Sequence, residues 1–166
     1  MSHPVVQHNR LKVGSMWEVG SAIAEQGGRL HNVTYHFDAD LPRDILRIDL
    51  EFEHGGWSVL VHEDDDTVRL VETTAIGDSD LSRVDAAALA PWRDAIGRAV
   101  RWVWSLENQQ GYPDAIQFEF ADISGGGAAT IQILAIASRL NIQQVRSIET
   151  PPLTTSPAGK HTRNTG

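Results

Sequence analysis

The chain has 166 residues, no cysteine and a formal net charge of −8, from 22 acidic and 14 basic residues. That length suits one domain with a core of its own. The missing cysteines exclude a disulfide framework, thiolate zinc or iron–sulfur ligation and a cysteine nucleophile. The acidity argues against nucleic acid and anionic membrane surfaces as partners.

Residues 1–14 are polar and read as a flexible N-terminal arm, without the apolar stretch of a secretory signal. Residues 15–26 place Met16, Val19, Ala22 and Ile23 at helical spacing, with Ser15 as N-cap and Glu18 three residues on. Gly27 and Gly28 stop that helix. Leu30–Phe37 is β-branched and aromatic, a strand. Pro42 marks the turn that follows.

Residues 45–53 alternate most clearly. Leu46, Ile48, Leu50 and Phe52 share one face, and Arg47, Asp49, Glu51 and Glu53 share the other, which predicts a strand with one wet side. A His54-Gly55-Gly56 turn and the alternating run from Trp57 to His62 complete a hairpin. Residues 63–66 form the next turn and 68–72 a third strand.

Residues 73–85 carry no clear pattern. Pro91, Trp92 and Ile96 suggest a short helix closed by Gly97. Residues 99–106 and 115–120 read as strands around a turn-forming loop at 108–114. The glycines at 125–127 make a flexible turn. Residues 130–137 form an apolar strand expected to be central and covered on both faces, and 141–148 an edge strand. Residues 150–166 read as a disordered tail. The expectation is therefore one α+β domain over residues 15–149. It would be an antiparallel meander of about six to seven strands, with one or two short helices packed on it. No segment approaches the roughly 20 apolar residues that span a bilayer, so a soluble cytoplasmic protein is expected.

Trp102 and Trp104 lie two residues apart on one strand face. Such a pair can stack on bases or sugars, but in an acidic chain with little nearby lysine or arginine the core is the better reading. The loop behind them concentrates hydrogen-bonding groups at Asn108, Gln110, Tyr112 and Asp114. Against a binding role stands a turn that Asn108 and Asp114 satisfy locally. The acidic turn at 63–66 lacks the spacing, the glycine and the distal glutamate of a calcium loop, so a solvated hairpin turn is expected. No HExxH pair, nucleophile elbow, Walker motif or dinucleotide fingerprint occurs. His54 and His62 flank one strand without ligand spacing. No catalytic residue, metal site or cofactor is assigned.

Asp66-Thr67, Trp92, Ile96-Gly97, the run WVWSLENQQGYPDAIQFEF and the later AIASRL together resemble the domain-of-unknown-function family numbered 6334. Its members carry a similar W-x-L-x-N-x-Q-G-Y-x-D-x-x-Q-x-x-F block, here at residues 104–120. The likeness covers most of residues 45–145. It implies a small bacterial domain and supplies no catalytic residues.

Two functions from different classes follow. One is a protein-interaction module, immunity-like in the sense that its acidic strand face (Asp49, Glu51, Glu53) docks a basic protein. The other is a small-ligand- or metal-dependent enzyme with a polar site at Asn108, Gln110, Tyr112 and Asp114. A concave pocket would mark the enzyme, and a broad exposed patch would mark the module. The first is preferred, because the catalytic motifs are missing; the oligomeric state is left open.

Overall fold

Short polar turns between alternating strands leave no room for helical crossovers, and the strands pair antiparallel throughout. A computed structural model of the chain describes residues 15–62, 64–76, 81–121 and 129–146. The N-terminal arm, the C-terminal tail, Glu63 and the glycine turn at 125–127 lie outside the described residues.

Among the described residues one helix, α1 (Met16–Gln26), precedes nine strands: β1 (Leu30–Phe37), β2 (Ile45–Phe52), β3 (Gly55–His62), β4 (Thr67–Glu72), β5 (Ser82–Asp85), β6 (Ala99–Glu107), β7 (Pro113–Ala121), β8 (Ala129–Ile136) and β9 (Arg139–Val145). The expected α+β class holds. Strands β5-β1-β2-β3-β4 lie side by side, and so do β6-β7-β8-β9. The two sets join where Ile45 of β2 meets Leu140 of β9, and Arg29, just before β1, bridges to Ala99 of β6. The sheet curls, so that β4 meets β7 and β8 across its interior.

Inside the curl lie Val33, Tyr35, Ile48, Leu50, Val59 and Leu70 from the first set, and Ile116, Phe118, Phe120, Ile131 and Ile133 from the second. The α1 helix forms as its sequence demands. The Ser15 hydroxyl accepts from Glu18 N–H while the Glu18 carboxylate accepts from Ser15 N–H, a reciprocal capping box. It buries Ile23 and packs against β6 and β4. Gly20 permits the approach, since a Cβ there would sit 3.1 Å from Val103 of β6.

Trp92 clamps the two halves. Its ring is fully buried, meets Phe120 of β7 edge-on at 6.4 Å, and its indole N–H donates to the Tyr35 hydroxyl of β1. The segment around it is a 3-10 turn, Trp92–Asp94, where the sequence suggests a helix. The neighbouring Ala86 and Ala95 are buried against the sheet, so docking and not helical propensity sets this backbone.

Other expectations are corrected. A short strand, β5, lies within the unpatterned residues 73–85. Strand β8 is central, but only its Ile131–Ile133–Ala135 side is buried, while Thr130, Gln132 and Leu134 are half-buried. Strand β9 is joined to β2 by a single residue pair and is otherwise an edge. Trp102 and Trp104 lie outside the core, 55% and 39% exposed. The reason is a β-bulge. Val100 pairs with Phe120 and Trp102 with the next residue, Glu119, so Arg101 is an extra residue and the alternation of β6 shifts by one.

Replacing Trp92 by alanine is expected to cost about 3–5 kcal/mol, as for other fully packed tryptophans. Urea unfolding of the variant and the parent measures the difference.

Candidate functional site

The bulge decides which side chains the β6–β9 sheet presents outward. Beyond it Val103 turns inward, paired with Phe118, and Trp102 and Trp104 turn outward, paired with Glu119 and Gln117. The register continues across the sheet. Trp104, Gln117, Gln132 and Gln143 form one outer row, and Trp102, Glu119, Thr130 and Val145 the next. Gln143 Nε2 donates to Gln132 Oε1 at 2.7 Å. Arg101, in the bulge, lies 3.7 Å from the Glu119 carboxylate. The surface therefore combines two exposed indoles, a row of amides and one carboxylate. The partner strand carried the missed signal: Gln117 and Glu119 alternate with Ile116, Phe118 and Phe120, and the tryptophans stand opposite the polar set.

The loop at 108–114 is largely a turn serving itself. The Asn108 side-chain oxygen accepts from the backbone N–H groups of Gln110 and Tyr112, at 2.9 and 3.2 Å. Its backbone N–H donates to Tyr112 O, and Gly111 N–H donates to Asn108 O. Gln110 and Tyr112 are exposed and Asp114 is half-buried. Tyr112 is a further exposed aromatic ring, in the turn after β6.

The acidic face of β2 is not continuous. Glu51 and Glu53 are exposed, and Glu53 accepts from Arg29 N–H at 3.1 Å. Asp49 is only 8% exposed and Arg47 only 7%, so the wet side expected of this strand is corrected at its centre. The 3-10 turn Thr73–Ala75, directly after β4, packs against β3. Its first residue, Thr73, meets Ser58 on the Asp49 side, hydroxyl to hydroxyl at 3.0 Å.

Asp49 there gathers a closed cluster. Its carboxylate accepts from Arg47 Nε and Nη2 at 2.6 and 2.7 Å, from Ser58 Oγ at 2.6 Å and from His36 Nε2 at 2.7 Å. Burial pushes its pKa up, but the hydrogen bonds from Arg47 and Ser58 and the charges of Arg47 and His36 outweigh that and hold it below the usual carboxylate range. An ionised Asp49 requires His36 to carry its proton on Nε2, which leaves Nδ1 as acceptor, buried and without a partner among the described residues. Burial lowers the His36 pKa; Asp49 opposes this, and Arg47 and Arg83 add to it.

The cluster holds a serine, a histidine and an aspartate but not a nucleophile. Ser58 donates to the carboxylate and not to the imidazole, the reverse of what an activated serine needs. All four acceptor positions of Asp49 are occupied. It is a structural knot tying β1, β2 and β3, with Thr73 joined to it through Ser58.

The acidic turn is likewise committed to structure. Asp65 Oδ1 accepts from Thr67 N–H at 3.1 Å and from Thr67 Oγ1 at 2.6 Å, and lies 3.1 Å from His62 Nδ1. Asp66, at positive φ, accepts from Ser138 N–H and so ties this turn to the β8–β9 turn. Among the described residues no three His, Asp or Glu side chains converge as a metal site would require. His54 is exposed. No helix among the described residues is long and apolar enough to cross a membrane.

These features define an antiparallel α+β domain whose distinctive surface is an outward aromatic and amide strip. Residues 22–149 match the family of unknown function DUF6334, and the chain belongs to that family. No curated protein and no solved structure matches it.

Two outcomes test the buried knot. Removing Asp49 by substitution with alanine strands a buried arginine and is expected to cost roughly 3–5 kcal/mol in urea unfolding. The folded-state pKa of His36 lies below its unfolded value, so the unfolded chain takes up the proton first as pH falls. Stability is then lost as pH drops below about 6.5, the ordinary histidine value, and the loss levels off below the folded pKa. His36→Gln keeps a donor for Asp49 and removes the titration. Its unfolding midpoint should change less than the parent's between pH 7 and pH 5.

Proposed function

We propose that this chain is a protein-interaction module of the bacterial cytoplasm, and that it docks a basic partner through the outward strip of β6 and β7. The single observation that carries the reading is the exposure of Trp102 and Trp104 on one sheet face. Exposed tryptophans cost solubility, and on a protein surface they are the residue type that most often anchors a partner. Here the indoles belong to strands of a packed sheet. They are pre-positioned, so little conformational freedom is lost when a partner covers them.

Charge supports the nature of the partner. At −8 the chain attracts basic surfaces over distance and repels nucleic acid. Glu51 and Glu53 remain exposed and contribute to that field, whereas Asp49 is neutralised within its knot. Gln110 and Tyr112 are exposed in the turn between β6 and β7, which Asn108 holds. The absence of cysteine suits a reducing compartment. An immunity-like role, in which an acidic domain covers the basic face of a toxic protein, fits this arrangement.

A Trp102→Ala/Trp104→Ala double variant separates binding from folding. Each substitution should change stability by no more than about 0.5 kcal/mol, the usual scale for surface sites. Capture from source lysate should retain a basic protein on the parent at low salt, release it at high salt and retain none on the double variant. Equal capture by both would contradict the reading.

A further inference from the structure

The outward strip carries a more specific statement about what it binds, and this rests on the docking reading above. Trp102 stands directly opposite Glu119, and Trp104 stands opposite Gln117, which is followed by Gln132 and Gln143. An indole face attracts a cation lying over it. A carboxylate accepts two parallel hydrogen bonds from a guanidinium, and side-chain amide oxygens can accept its remaining donors. Indole, carboxylate and amide oxygens in adjacent register positions therefore match a planar, five-donor cation better than a compact ammonium. The chain itself provides a partial example. Arg101 places its own guanidinium 3.7 Å from Glu119, at the margin of the strip, with its side chain still 58% exposed.

From this we infer that the partner presents arginine to the strip: its guanidinium stacks on Trp102 or Trp104 and pairs with Glu119, taking the place Arg101 holds at the margin. Lysine carries the same charge, answers equally to the long-range field and is drawn to an indole face, but its ammonium cannot lie flat on the ring or form the bidentate pair. Discrimination between the two is thus the signature of the site, distinct from attraction by net charge.

The test is isothermal titration of the full chain with two synthetic peptides of equal length and charge, one arginine-bearing and one lysine-bearing. The parent should bind the arginine peptide at least about tenfold more tightly, more weakly as salt rises. The Trp102→Ala/Trp104→Ala variant should lose the discrimination, and Glu119→Gln should reduce it, both with unfolding midpoints close to the parent's. Equal affinity for the two peptides, no binding of either, or discrimination that survives loss of both tryptophans would each overturn the inference. None of these outcomes touches the docking reading, which fails only if lysate capture is indifferent to the tryptophans.

Discussion

One extra residue in β6 organises much of this molecule. Arg101 occupies a bulge between Val100 and Trp102, and every side chain beyond it exchanges faces. Val100 remains in the core and Val103 rejoins it, small enough for α1 to lie directly on β6 at Gly20. Without the shift both indoles would point at that helix, where even a methyl group at position 20 crowds the strand. The bulge therefore sets the helix docking, the filling of the interior and the exposure of the tryptophans together.

A second constraint acts on the opposite side. Just after β4 the chain brings Thr73 back against Ser58, on the side of the sheet that holds residues that look suited to water. His36, Arg47, Asp49 and Ser58 can be covered because each satisfies another: the carboxylate accepts four hydrogen bonds, and its charge is balanced by the guanidinium. Burial of His36 disfavours its charged form, which makes this knot sensitive to acid. The charges that remain outside it, Glu51 and Glu53 among them, are those left to act on a partner.

Much of the fold was legible in the sequence because it rests on local patterns. The capping box of α1, the alternation in β2 and the glycine hairpin each name their own structure, and the boundaries of β1 to β4 fall within a residue or two. The misreadings share a different cause. Period-2 alternation assumes an unbroken strand, and nothing in the residues Val100 to Trp102 signals a bulge. The same alternation placed Asp49 on a wet face, since it cannot reveal that His36, Arg47 and Ser58 close around it in the folded sheet. Trp92 suggested a helix where a tertiary clamp holds a single 3-10 turn. Family membership, carried by the block at 104–120, was readable from the residues themselves. The outward face of that block was not, and it required the register of β6 against β7.

The exposure of the two strip tryptophans is the claim on which the functional account stands, and collisional quenching measures it directly. A Trp17→Phe protein removes the exposed indole of α1 and keeps four tryptophans: Trp57 and Trp92 buried, Trp102 and Trp104 outward. Acrylamide titration should then resolve two fluorescence populations, one readily quenched and one protected, with the quenched one absent from the Trp102→Ala/Trp104→Ala protein. A single protected population would mean that both indoles lie inside the fold, and the surface described for β6 would not exist.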